Sequence, residues 1–265
     1  MIDLHSHLLP GIDDGADDLD QALAMCRLAA ADGCTAIVAT PHLRHELYWN
    51  DERQEIVDLW RRLRDADPGI EVLLGGEIAV CAESLAEIDL LPGGELLSLA
   101  GGRYLLLEFN SRGLGPDPVE MVYELCVLGW RPLIAHPERI PWLARDLDLV
   151  AALVDHGAAL QLTAMSVTGD LGWRLQERSH EMLDAGLVHV VASDAHNTGS
   201  RPPGLARAFD HVRKRCGEET ARALFIDHPR TILENKPIEW VARQAPRAAK
   251  TGAGLAARLR RLAGR

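Results

Sequence analysis

A distorted parallel α/β barrel built from seven β-then-α units is the fold this sequence predicts. Three observations predict it. Short apolar segments alternate in type with amphipathic helical ones, several helices stop at a glycine just before the next strand, and no dinucleotide glycine fingerprint marks an open nucleotide-binding sheet.

Ile2 to Ser6 reads as the first strand, and Asp18 to Ala31 comes next with helical spacing through Leu19, Ala22, Leu23, Cys26 and Ala30. Ala36 to Thr40 is the second strand and Glu52 to Asp65 the second helix. Val72 to Gly75 is the third strand, with an irregular helical stretch near Ser84 to Leu91 behind it. Tyr104 to Glu108 leads into a helix over Pro118 to Leu128, and Pro132 to Ala135 into one over Pro141 to His156. Ala159 to Thr163 precedes a helix over Leu171 to Ala185. Val188 to Ser193 is the last strand, and helices fill most of the remainder. Gly33, Gly129, Gly157 and Gly186 stand where four of these helices end, because glycine takes the left-handed closing position cheaply. No repeat or low-complexity linker divides the chain, so residues 1–244 are expected to form one domain and 245–265 a tail.

At 265 residues the chain is long enough for a full barrel core, and 47% hydrophobic with 25% charged residues is an ordinary globular composition. No signal peptide is expected, no 18-residue apolar run is present, and five scattered cysteines read as reduced thiols; the expected location is the cytoplasm. Net charge is −11, yet the tail carries Arg247, Lys250, Arg258, Arg260, Arg261 and Arg265 and no acid. The acidic excess therefore lies in the body. That argues against a nucleic-acid groove and suits a protein that gathers carboxylates around cations.

Residues at and just past the strand ends carry the chemistry. The first strand ends in His5 and His7, with Asp13 and Asp14 in the turn beyond; the second ends Thr40-Pro41-His42. Glu77 comes after the third, Glu108 closes the fourth, His136 comes after the fifth, and Asp194 and His196 after the seventh. The sixth, ending Gln161-Leu162-Thr163, offers no good ligand. In a parallel barrel all these ends meet at one face. Singly, each residue has an ordinary role: a strand-end Glu commonly caps a helix, and a histidine commonly satisfies a carbonyl. Together, nine ionisable groups at one end of an apolar barrel cost about several kcal/mol per unpaired charge unless cations compensate them. Nine ligands with one shared carboxylate suit three ions, and an oxygen and imidazole set without thiolate fits Mn, Fe or Zn. His45, His156, His180, His189, His211 and His228 fall in loops or on helices and read as ordinary.

His5-Ser6-His7, Asp14, Thr40-Pro41-His42, Glu77, Glu108, His136-Pro137 and Ser193-Asp194-Ala195-His196 together resemble the PHP (polymerase and histidinol phosphatase) superfamily. The fuller opening from His5 to Ala16, with His136-Pro137-Glu138-Arg139 and Asp194-Ala195-His196-Asn197, is similar to its manganese-dependent bacterial tyrosine-protein phosphatases of capsule and exopolysaccharide loci. The resemblance spans about residues 1 to 240. It implies a distorted (β/α)7 TIM-like barrel of PHP type with three divalent metal ions, Mn2+ foremost. By that pattern His5, His7, Glu77 and Asp194 hold the first ion, and Glu77 bridges to a second held with Glu108 and His136. Asp14, His42 and His196 hold the third, with Asp13 an open alternative to Asp14. The implied reaction is hydrolysis of protein phosphotyrosine by a metal-bound hydroxide, the partner being a membrane-associated bacterial tyrosine kinase.

Charge on the remaining phosphoryl oxygens calls for arginine, and Arg139 and Arg201 lie near the ligands His136 and His196. Arg44, Tyr48 and Trp49, in the loop after His42, are the residues expected to flank an aromatic ring. Cys216 and Arg222 match the spacing of thiol-dependent tyrosine phosphatases. Glu218 and Glu219 between them repel phosphate, and the segment reads as helix, so it is set aside. Leu255, Leu259 and Leu262 form a stripe in the basic tail, a pattern that can bind an acidic membrane surface. The competing readings are a histidinol-phosphate type phosphatase and a non-catalytic, metal-stabilised kinase-docking module.

Overall fold

Parallel pairing runs through every strand of the computed structural model, which describes residues 1–88, 96–113 and 115–238. In chain order the strands are β1 (Ile2–Ser6), β2 (Ala36–Ala39), β3 (His42–Leu43), β4 (Glu71–Leu74), β5 (Glu77–Ala79), β6 (Tyr104–Glu108), β7 (Arg131–Ala135), β8 (Ala159–Thr163) and β9 (Val190–Ala192). They make two sheets, of order β1-β2-β4 and β3-β5-β6-β7-β8-β9.

The strands therefore do not form one continuous ring, which corrects the simple barrel. The second and third expected strands are each followed, after a break, by a short additional strand in the other sheet. Thr40 donates its N–H to the Ser6 carbonyl (2.8 Å) and Pro41 has none to give, so the ladder stops at Ala39 and resumes as β3 in the other sheet. At Gly75 and Gly76 the chain passes between packed side chains: a Cβ there would lie 2.9 Å from Leu99 and 2.3 Å from Leu43 respectively. Beyond β9 the chain returns to β1. Ser6 forms a parallel bridge with Ala195, and Asp194 donates its N–H to the His5 carbonyl (2.9 Å).

Helices connect the strands: α1 (Leu19–Ala31), α2 (Arg53–Asp65), α3 (Ala82–Ile88), α4 (Pro118–Val127), α5 (Leu147–Asp155), α6 (Ala164–Thr168), α7 (Trp173–Asp184), α8 (Ala206–Cys216), α9 (Glu218–Arg222) and α10 (His228–Leu233). Asp18 caps α1 by accepting from the Gln21 N–H. The glycine stops hold: Gly33, Gly129, Gly157 and Gly186 all have positive φ, and the residue after each donates back to the helix. Several boundaries differ from the sequence reading. Helix α5 starts at Leu147, not Pro141, because Asp146 caps it there. The helix expected from Leu171 is preceded by α6, separated from α7 by Gly169 and Gly172 at positive φ. The last strand begins at Val190, not Val188. The basic tail 245–265 lies outside the described residues, and among those described no helix is long and apolar enough to cross a membrane.

Both strand faces are buried, in two clusters. Ile37, Ala39, Leu105, Leu107, Ile134, Leu160, Leu162 and Val191 pack toward the helices. The alternate positions, among them Val38, Tyr104, Leu106, Leu133, Ala159 and Val190, pack with one another and with Leu4. By the same alternation, the face that buries Tyr104 and Leu106 ends in Glu108, and the face that buries Ala159 continues through Gln161 to Thr163.

Candidate metal centre

Those C-terminal ends carry the candidate site. His5 and His7 leave β1 with their Nε2 atoms 3.2 Å apart. Glu77, at the start of β5, places Oε2 3.3 Å from each of those nitrogens and 3.1 Å from His42 Nδ1, while its Oε1 lies 2.9 Å from His136 Nε2. Glu108 stands 3.6 Å from His42 Nδ1 and 3.7 Å from His136 Nε2. Asp194 Oδ1 is 3.6 Å from Nε2 of both His5 and His7. Asp14 Oδ1 lies 3.3 Å from His196 Nε2 and 3.5 Å from His42 Nε2. All nine residues singled out in the sequence thus come together.

Donor atoms of seven of them form three overlapping groups, each within 4.8 Å: His7, Asp14, His42 and His196; His5, His7 and Glu77; His42, Glu77 and Glu108; His136 and Asp194 stand beside these groups. The residues fit a metal on the structure's own terms. His42 Nδ1, Glu77 Oε2 and Glu108 Oε2 are buried without a hydrogen-bond partner, a costly state that coordination relieves. His136 and Asp194 also hold left-handed backbone (φ 29° and 53°), rare for residues with a Cβ and typical of side chains aimed at a site.

Protonation in the metal-free pocket is set by its charges. Burial opposes the charged form of His7, but the Asp13 carboxylate outweighs it and holds the imidazole up at about 10. Burial likewise opposes charge on His42, yet Glu77 and Asp14 raise it to about 11. Burial works to raise Glu77, and His5 and His42 overcome it, keeping the carboxyl well below its usual range. Glu108 goes the other way, raised by burial and by the neighbouring Glu77.

A supporting layer surrounds these groups, and Asp13, the alternative to Asp14 in the sequence, falls in it. Asp13 accepts from His7 Nδ1 (2.8 Å) and from the backbone N–H groups of His42 (3.1 Å) and Gly15 (3.0 Å), whereas Asp14 faces His42 and His196. Gly15 packs directly against His7: a Cβ there would sit 2.1 Å from its carbonyl oxygen. Gln161 Oε1 accepts from His5 Nδ1 at 2.9 Å, so the sixth expected strand orients a candidate ligand. Its signal was parity, since Ala159, Gln161 and Thr163 share a strand face. Buried Asp3 accepts from the Ser193 N–H (2.9 Å), fixing the segment that carries Asp194, and Glu138 accepts from the Thr163 N–H (3.0 Å).

Arg139 and Arg201 both reach Asp194 Oδ2, the latter at 2.7 Å. Next to Glu108, His136 and Arg139 opens a cavity of about 430 Å³, whose walls include Val80, Phe109, Ile140 and Trp49. Trp49 borders it. Arg44 also borders it, but its guanidinium is held by Glu87 at 2.9 and 2.6 Å. Tyr48 does not line it; its ring stacks on His42 and His45. His45, read as an ordinary loop residue, lines the cavity and stacks on His42 at 4.6 Å.

Cys216 and Arg222 form no anion loop. Cys216 ends α8, Glu218–Arg222 is helical, and burial, then Asp184, push the thiol up, so it is not a thiolate nucleophile.

A family profile described as capsular polysaccharide synthesis, CpsB/CapC, matches residues 1–234. The tyrosine-protein phosphatase YwqE of Bacillus subtilis is 36% identical over 253 residues, covering 94% of this chain and 97% of its own. A solved structure from work on YwqE of Bacillus subtilis and CpsB of Streptococcus pneumoniae, described as metal-dependent tyrosine phosphatases, superposes with a TM-score of 0.84 at 34% identity, covering 94% of this chain and all of the other. A phosphotriesterase homology protein from Escherichia coli shares the fold alone, with a TM-score of 0.53 at 15% identity over 86% of this chain and 96% of its own.

Proposed function

The chain belongs to the CpsB/CapC family of capsular polysaccharide synthesis, and from that membership we propose that it is a metal-dependent protein-tyrosine phosphatase. One observation carries the reading: three donor groups overlap around Glu77 and His42, beside a cavity large enough for an aromatic ring. By the family pattern His5, His7, Glu77 and Asp194 would hold one ion, Glu77, Glu108 and His136 a second, and Asp14, His42 and His196 a third. Mn2+ suits the oxygen and imidazole set, and Fe and Zn are the other fits. Divalent ions bound there supply Lewis acidity to phosphoryl oxygens and lower the pKa of water.

The chain's own groups do the rest. Arg139 and Arg201, converging on Asp194 from two loops, present guanidinium forks to the phosphoryl group. Val80, Phe109, Ile140 and Trp49 exclude water around the tyrosine ring. A phenol leaves with a pKa of about 10, so the reaction asks less of a proton donor than an alkyl ester does.

The two sheets are read as parts of one distorted seven-unit barrel of PHP type within residues 1–244. The second buried cluster between inward strand faces and the Ser6–Ala195 bridge support that reading. The substrate is a phosphotyrosine protein of capsule or exopolysaccharide synthesis, a membrane-associated tyrosine kinase, met from the cytoplasmic side.

Phosphate release from a phosphotyrosyl peptide, assayed with added Mn2+, tests the function. Activity should vanish with a chelator and persist in Cys216→Ser. Faster turnover of histidinol phosphate would move the substrate to small molecules. A metallated protein inactive on both would be a docking module.

A further inference from the structure

Away from the strand ends, two histidines on neighbouring helices meet nitrogen to nitrogen. His180 on α7 and His211 on α8 bring their Nε2 atoms to 2.8 Å, with ring centroids 4.9 Å apart and planes tilted by 27°. We propose that this pair is a second, independent metal site, binding an imidazole-preferring divalent cation, Zn2+ foremost, between α7 and α8.

The shared contact allows it. Without a cation, one Nε2 carries the proton of the His180–His211 hydrogen bond and the other accepts it. With a cation bound, that proton moves to Nδ1 of the same ring, and both Nε2 lone pairs face the ion.

Charge and geometry permit occupancy. Burial, then Arg215, disfavour a proton on either imidazole, and the neutral ring is the form that ligates. Lys214 and Arg207 also face His211. Arg215 is held by Asp184 (2.8 and 2.5 Å) and Arg207 by Asp170 (2.9 and 2.8 Å), so much of the local positive charge is already paired. Two nitrogens on one tetrahedral Zn2+ stand about 3.3 Å apart, given Zn–N bonds of about 2.0–2.1 Å. The rings need only part by roughly half an ångström, with water completing the shell.

The chemistry also separates this site from the centre at the strand ends. An imidazole pair without carboxylate selects Zn2+, Ni2+ or Cu2+ over Mn2+, whereas the carboxylate-rich centre accepts Mn2+. A cation here would staple α8, which lies just beyond the segment bearing His196 and Arg201, to α7.

The test uses the full chain, saturated with Zn2+ and freed of excess, in wild type, His180→Gln and His211→Gln. Each variant should retain one Zn2+ fewer than wild type, and residual binding at this position should be roughly tenfold weaker or worse. Zn2+-soaked wild-type crystals should show an anomalous peak between the two rings. Unchanged metal counts in both folded variants, or no peak between the rings, would overturn the proposal. Circular dichroism checks that the variants fold; should one not, the other variant and the crystal decide.

Discussion

Asp13 grips His7: its Oδ2 lies 2.8 Å from His7 Nδ1 and also accepts the His42 backbone N–H at 3.1 Å. One carboxylate thereby orients the His7 imidazole and pins the backbone that carries His42, leaving His7 Nε2 turned toward Glu77. Its neighbour Asp14 does the opposite, turning its oxygen toward His42 and His196.

The two aspartates should therefore fail differently. Asp13→Asn should weaken metal affinity about 10- to 100-fold yet leave full occupancy attainable at high Mn2+, as expected for a group that orients a ligand. Asp14→Asn should lower the number of ions bound at saturation. Metal titration with elemental analysis separates them, and equal behaviour would remove the distinction.

Glu77 touches His5, His7, His42 and His136 at once, so its removal should cost more than that of any peripheral ligand. For Glu77→Gln the expected loss in kcat is about 10³-fold or more, equivalent to about 4 kcal/mol. Activity within tenfold of wild type would exclude a shared-carboxylate role.

Metal loading should release protons. In the metal-free pocket His7 titrates at about 10 and His42 at about 11, both above the ordinary 6.5. Near neutrality both rings are thus protonated, and a cation must displace those protons. Apparent affinity should rise with pH, and calorimetry in buffers of different ionisation enthalpy should detect the release. The same raised values stabilise the metal-free fold fully below pH 6.5, and that stability is lost as pH climbs through 10 to 11.

His189 predicts loss on the acid side. It is buried, its Nδ1 accepts the Leu160 N–H at 3.2 Å, and burial together with His228 lowers it to about 3. A folded value below the unfolded 6.5 means stability present above pH 6.5 and lost as pH falls toward 3. Between pH 7 and 5 the loss is about 2 kcal/mol from this residue. His189→Asn, which keeps an acceptor but does not titrate, should flatten that part of the profile in urea unfolding with chelator present.

The candidate ligands were legible because metal chemistry restricts residue type, and strand ends in a parallel α/β chain mark where such residues gather. His5, His7, Glu77, Glu108, His136, Asp194 and His196 needed no coordinates to be singled out. Residues acting through another residue were not legible, since their meaning lies in a partner far along the chain. Gln161 orients His5 across 156 positions and Asp3 holds Ser193 across 190. Glutamine and aspartate in those places look ordinary until the strands align.

By itself, then, the sequence determined the order of strands and helices, the glycine stops and the identity of the cation-seeking groups, all consequences of local pattern and residue chemistry. Only the tertiary structure decided where the second and third strands break, that Arg44 is bound to Glu87 and away from free duty, that Asp14 and not Asp13 faces the imidazoles of His42 and His196, and that His180 meets His211. Those outcomes turn on ångström-scale distances between segments remote in sequence, which packing sets and residue pattern does not encode.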